Sequence, residues 1–167
     1  TDQGTELFDA NYANIVPTAD PDRYIVMDRQ RTGVVDGVGR SVIPIKYDYI
    51  YYDYGSQLFI VQNAKKIGLF RRDGIQLVPI EYDRQRILQS VLPGEGGSLH
   101  VLGKGQYFYF ANSNGLIENT GFSHYDHTPS ILKTYDSKGI NVYIFDDAGN
   151  IEEKQRYPIF EKAVIKK

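Results

Sequence analysis

The chain has no cysteine and no tryptophan, a single methionine, no marked excess of one charge and no long apolar run. Without cysteine it has neither a disulfide framework nor a thiolate metal site nor a cysteine nucleophile. Nineteen basic against 21 acidic residues leave a formal charge of −2, with Lys and Arg scattered in ones and twos. The basic field on which sequence-independent nucleic-acid binding rests is missing, so no nucleic-acid partner is expected. No apolar stretch approaches the roughly 20 residues of a bilayer-crossing helix, and no membrane span is expected. No Asn-x-Ser/Thr triplet is present to support a glycosylated surface. Thr1 is not an initiator methionine, which implies an upstream segment; a bacterial periplasmic or cell-envelope location is favoured over the cytoplasm.

What is abundant points to strands. Fourteen Tyr and eight Phe accompany many Val and Ile, and 16 Gly punctuate the sequence. Such residues suit a pleated, half-buried surface, so an all-β fold is predicted. A length of 167 residues predicts a single domain, residues 1–167.

A repeat organises the chain. Gly33 to Asp48, "GVVDGVGRSVIPIKYD", aligns with Gly68 to Asp83, "GLFRRDGIQLVPIEYD", at an offset of 35, with six of sixteen positions identical. The same offset relates Tyr12, Ile15, Ile25 and Val26 to Tyr47, Ile50, Ile60 and Val61. Further on, Gly115 follows Gly74 by 41 residues and Gly149 follows Gly115 by 34, the extra length falling in an inserted loop at about 90–98. A tyrosine trails the glycine by eight residues at Tyr12, Tyr47, Tyr82 and Tyr157, and by ten at Tyr125. The prediction is about five copies, some incomplete, of a roughly 35-residue antiparallel β-meander, forming either a closed propeller- or barrel-like body or an open array.

Each copy has the same grammar. A short apolar strand meets a turn ending in Gly4, Gly39, Gly74, Gly115 or Gly149, where glycine tolerates the positive φ of a tight reversal. The strand after it carries a proline that cannot donate to a ladder, placing Pro44 and Pro79 at a strand end, a bulge or an edge. Tyr-Asp follows, then an irregular stretch, a second apolar strand, and a polar turn such as "DRQR" or "NAKK". About three strands per copy are predicted.

This pattern resembles the WG β-repeat family of bacterial proteins, over essentially the whole chain. The Trp-Gly pair that names the family stands here as Thr32-Gly33, Ile67-Gly68, Phe108-Tyr109 and Val142-Tyr143, so the copies are divergent. The family occurs in many proteins of mostly unassigned role, and the resemblance implies an architecture and no chemistry.

Three clusters compete as functional sites. "KYDYIYYDYG", Lys46 to Gly55, holds five tyrosines and two aspartates. Tyr47 and Asp48 recur as Tyr82-Asp83 and read as scaffold, but Tyr49, Tyr51, Tyr52 and Tyr54 have no counterpart in the next copy. Alternation along one strand puts Tyr47, Tyr49 and Tyr51 on one face and Ile50, Tyr52 and Tyr54 on the other. The set left outside, next to Asp48 or Asp53, suits a protein partner or a sugar ring, or else simply covers a sheet edge. His124, Asp126 and His127 offer zinc-type donors for a metal-assisted hydrolase, or form an exposed loop. His100 reads as a structural histidine. The glycines at 94–97 and 103–105 lack the Lys-Ser/Thr ending of a phosphate loop. Asp146-Asp147 and Glu152-Glu153 read as solvated turns, and Arg71 and Arg72 as turn-flanking charges. The function expected is a non-catalytic binding module with a protein partner, a glycan being the alternative and a hydrolase the third reading. No cofactor is expected.

Overall fold

A computed structural model describes residues 12–88, 98–146 and 150–159. These residues form strands and turns, with no helix among them. Four antiparallel four-stranded sheets follow one another, and none closes into a barrel. The first holds β1 (Asn14–Pro17), β2 (Arg23–Asp28), β3 (Arg31–Asp36) and β4 (Ser41–Tyr47) in that order. The second holds β5 (Tyr49–Asp53), β6 (Leu58–Asn63), β7 (Lys66–Arg71) and β8 (Gln76–Tyr82). The third holds β9 (Arg84–Leu88), β10 (Leu99–Lys104), β11 (Tyr107–Asn112) and β12 (Gly115–Leu116). The fourth holds β13 (His124–Thr128), β14 (Ile131–Asp136), β15 (Gly139–Phe145) and β16 (Ile151–Pro158). All-β meanders are what the repeat predicts, but each copy has four strands rather than three. The stretch after Tyr-Asp, read as irregular, is the opening strand of the next sheet.

The chain packs as two compact units that divide between Arg84 and Gln85. In the first unit, Val34, Ile43, Tyr47, Ile50, Phe59, Val61 and Phe70 form one buried apolar cluster contributed by both of its sheets. In the second, Leu88, Leu99, Val101, Phe110, Phe122, Leu132, Tyr143 and Phe145 do the same. Each fully buried side chain of this size contributes about 1.5–3 kcal/mol relative to exposure.

The 35-residue offset is obeyed in the ladders themselves. Ile15↔Val26 and Val26↔Gly33 in the first sheet recur as Ile50↔Val61 and Val61↔Gly68 in the second. Even the irregularities repeat. Thr32 pairs with Tyr47 and Val34 with Ile43, as Ile67 pairs with Tyr82 and Leu69 with Val78. Two residues of β3 or β7 therefore face four of β4 or β8, a bulge that contains Pro44 or Pro79 on the edge strand of its sheet. That is where a residue without an amide proton is tolerated.

Local chemistry fixes the reversals. Asp36 Oδ1 accepts from the amides of Val38 and Arg40 at 3.1 and 2.9 Å, while Gly39 turns at φ 80°. Asp146 Oδ1 takes the amide of Asn150 at 2.8 Å in the same way. Gly74 and Gly115 also have positive φ, 87° and 111°. Gly4, Gly149, Asp147 and residues 89–97, with most of the inserted loop, lie outside the described residues. Arg71 and Arg72 do flank a turn, and both are partnered. Arg71 holds the Asp73 carboxyl down to about 2, and Arg72 pairs with the buried Asp20 carboxylate.

Tyr-Asp is the joint between consecutive sheets. Tyr47 ends β4, Asp48 stands alone, and β5 begins at Tyr49. Asp48 Oδ1 pairs with Arg31, its Oδ2 accepts the Ala64 amide at 2.7 Å, and its own amide donates to Gln62 O at 3.0 Å. One copy later Lys66 pairs with Asp83. In the third copy the joint is Phe122-Ser123, not the Tyr125-Asp126 that the alignment offers. Phe108 bridges Phe122, as Thr32 pairs with Tyr47, and the Ser123 amide donates to Tyr135 O at 3.0 Å, as Asp48 does to Gln62. The third copy is one residue shorter at its β11–β12 turn, where Asn112 pairs with Gly115 while Asp36 bonds Arg40 in the first copy, and Tyr109 stands in the place of Gly68, its ring 2.9 Å from where a Cβ of Gly121 would be. Tyr157 returns to the joint position, pairing with Ile140.

Candidate functional site

The tyrosine tract straddles the first joint, and this decides where its rings go. Tyr47 closes the first sheet and is 8% exposed, its ring edge-on to Phe70 at 5.8 Å. It does not share a face with Tyr49 and Tyr51, because the strand breaks at Asp48 and the alternation restarts in β5. Within β5, Ile50 and Tyr52 turn to the apolar cluster, with the Tyr52 ring 4.9 Å from Phe59. Tyr49 and Tyr51 take the opposite alternation, their ring centroids 6.2 Å apart. Tyr54 follows in the turn and is 69% exposed.

All four of these tyrosines border one groove of about 340 Å³ in the first unit. Its other wall comes from the first sheet: Val16 and Pro17 of β1, Thr18 and Ala19 beyond it, Ile25 and Met27 of β2. The lining is apolar and aromatic, with phenol hydroxyls as its main polar groups. β1 and β5 are both edge strands of their sheets, and all four residues of β1 are exposed. The first-sheet wall was missed in the sequence. Its signal was the match of Ile15 to Ile50, which makes β1 the counterpart of β5.

Asp53 turns inward, away from the groove's lining. It is buried and accepts from the Ser56 amide and hydroxyl at 3.0 and 2.6 Å, fixing the turn that carries Tyr54. Burial pushes the Tyr52 hydroxyl above its ordinary pKa, and the Asp20 carboxylate adds to this. A raised phenol pKa means stability that is whole below about pH 10 and is lost as pH rises through the folded value. Tyr143, fully buried, is shifted upward by burial as well. Denaturant unfolding between pH 8 and 11 is therefore expected to show a midpoint that falls above about pH 10, and a shallower fall in Tyr52→Phe. An unchanged profile in Tyr52→Phe would show that this phenol contributes nothing.

The histidine cluster does not converge. In β13 the exposure alternates, His124 and Asp126 on one face and His127 on the other. The His124 ring lies 5.4 Å from Tyr135, and Asp126 and His127 border a hollow of about 180 Å³. Among the described residues no three His, Asp or Glu side chains gather as a metal site. His100 is fully buried in β10, its Nδ1 3.0 Å from Gln85 Nε2. Gly103 lies within β10, and Gly105 forms the β10–β11 turn at φ 58°.

Fold and groove together define an all-β protein of repeated four-stranded meanders with an aromatic groove in its first unit. No protein-family model and no curated protein matches the sequence. Among solved structures the chain is similar to the AfRom2 CNH domain, at 11% identity and a TM-score of 0.37. That match covers 87% of this chain and 54% of the other, so this chain spans little more than half of that one's length.

Proposed function

We propose that the chain is a non-catalytic binding module of the WG β-repeat kind, which takes apolar or aromatic side chains of a protein partner into the groove bordered by Tyr49, Tyr51, Tyr52 and Tyr54. The observation that carries this reading is the convergence of four rings on one apolar groove, while the tract's carboxylates, Asp48 and Asp53, are engaged at the joint and the turn. Rigid aromatic rings supply large contact area at low entropic cost, which is why they anchor interfaces. Open edges at β1 and β5 suit an extended segment that pairs by main-chain hydrogen bonds. The second reading, a glycan stacked on the exposed Tyr49 and Tyr54 rings, draws on the same exposure. The diverging side chains of β13 lend the hydrolase reading no gathered donor set.

Selection of a random peptide library on the immobilised chain tests the proposal. Enriched peptides should be rich in apolar and aromatic residues, and Tyr49→Ala with Tyr54→Ala should weaken them by about tenfold or more, at about 1–2 kcal/mol per ring. Tyr49 and Tyr54 are exposed, so the unfolding midpoint should hold. Enrichment that ignores both substitutions, or a glycan-array signal in place of any peptide signal, would remove the protein-partner reading.

A further inference from the structure

The joints of the first unit are sealed by an ion pair. Arg31 with Asp48, and Lys66 with Asp83, set a cation at the start of the third strand against the carboxylate between sheets, and Asp48 also caps the Ala64 amide of the neighbouring turn. Ladder register carries these positions into the second unit. Tyr107, first residue of β11, stands where Arg31 and Lys66 stand, and Ser123 stands where Asp48 and Asp83 stand. Ser137 takes the place of Ala64, since Asp136↔Gly139 repeats the turn pair Asn63↔Lys66. Both halves of the seal are therefore gone.

A cleft of about 760 Å³ opens at this spot, bordered by Tyr107, Ser123, Ser137, Lys138 and Arg156. Tyr107 is 44% exposed. Arg156 is held in place by Asp136, at 3.1 and 3.2 Å, and by Asn141 at 2.9 Å. Lys138 is exposed and has no carboxylate partner among the described residues. With Asp136 bound to Arg156, the cleft keeps a surplus positive charge and the Ser137 amide has lost the acceptor its counterpart enjoys. Gln106, Thr120 and Gly121 complete the border, Gly121 packed so closely that a Cβ there would stand 2.8 Å from the Tyr107 Cβ and 2.9 Å from the Tyr109 ring.

We infer that this cleft binds a carboxylate-bearing saccharide of the uronic-acid class, whose carboxylate replaces the missing aspartate between Ser137 and Lys138 and whose ring stacks on Tyr107. An aromatic face beside several hydroxyl and amide groups suits a sugar, and a lysine with a free amide suits its acid. This site is separate from the tyrosine groove and stands whether or not that groove binds protein.

Calorimetric titration of the full chain with trigalacturonate, its methyl ester and triglutamate tests the assignment. Trigalacturonate should bind about tenfold or more tightly than either of the others, and Tyr107→Ala and Lys138→Ala should each weaken it by a similar factor. Ser123→Asp should abolish binding by restoring the repeat's own carboxylate, with the unfolding midpoint unchanged or raised. Equal binding of the ester overturns the carboxylate contact. Equal binding of triglutamate, or indifference to Tyr107→Ala, overturns the saccharide, and no binding at millimolar ligand overturns the site. Lys138 is exposed, so Lys138→Ala keeps the test decisive should Ser123→Asp fail to fold.

Discussion

Gly74→Ala is expected to destabilise the chain by about 3–4 kcal/mol, the sum of a left-handed backbone penalty and an overpacking penalty. Gly74 has φ 87°, and a Cβ there would stand 2.1 Å from the carbonyl oxygen of Val42. Val42 belongs to the first sheet and Gly74 to a turn of the second, so the contact is one by which the two sheets of the first unit meet. Arg23 Nε donates to the Arg72 carbonyl of the same turn at 3.0 Å, so the loop has little freedom to withdraw. Gly105→Ala is the matched control. Its φ is 58° but nothing lies within 4 Å of its Cβ position, and only the backbone penalty of about 1 kcal/mol should appear. Denaturant unfolding of both variants measures the difference. Equal losses would mean that the turn does not press on Val42.

The second large effect is expected at a glycine of ordinary backbone conformation. Gly68→Ala would set a Cβ 2.7 Å from Val78 O and Ile80 Cγ1 and 2.9 Å from the Ile80 amide nitrogen. Two of these neighbours are backbone atoms of the bulged edge strand, which yields less readily than a side chain. A cost of about 2–3 kcal/mol follows from overpacking alone. Gly33 is built alike, with Ile43 O at 2.7 Å and the Ile45 Cα at 2.8 Å, so Gly33→Ala should lose a similar amount. Parallel unfolding curves check this. If either variant retains wild-type stability, the bulge relaxes and glycine is not what holds it.

These glycines show why the fold could be read from the sequence. Gly33, Gly39, Pro44, Tyr47 and Asp48 recur 35 residues later because each answers a local demand of backbone or hydrogen bonding, and such demands leave one residue type in place. The opening strands were harder. β5 is "YIYYD" and β9 is "RQRIL", sharing no residue type at matched places, because a strand facing partly outward is constrained only in alternation. The third joint was misplaced for a different reason. Exchanging the small residue of β11 for Tyr109, and placing Gly121 opposite it, conserves volume across two strands while erasing the motif from either. Of the candidate site, the four tyrosines stood out by their absence from the next copy. That Tyr47 belongs to the core and Asp53 to a turn depended on the break at Asp48, which no spacing announces.

The bulged prolines have a further consequence for how this protein behaves when concentrated. A bare strand margin is a template on which another chain can grow, and Pro44 and Pro79 each strip a donor from such a margin at a point already kinked by two surplus residues. Growth of the first two sheets is thereby blocked on one side and left open on the other, where β1 and β5 lie. Any strand added to the first unit must arrive beside the tyrosines, so the same asymmetry that discourages fibres sets the flank from which the proposed partner would approach.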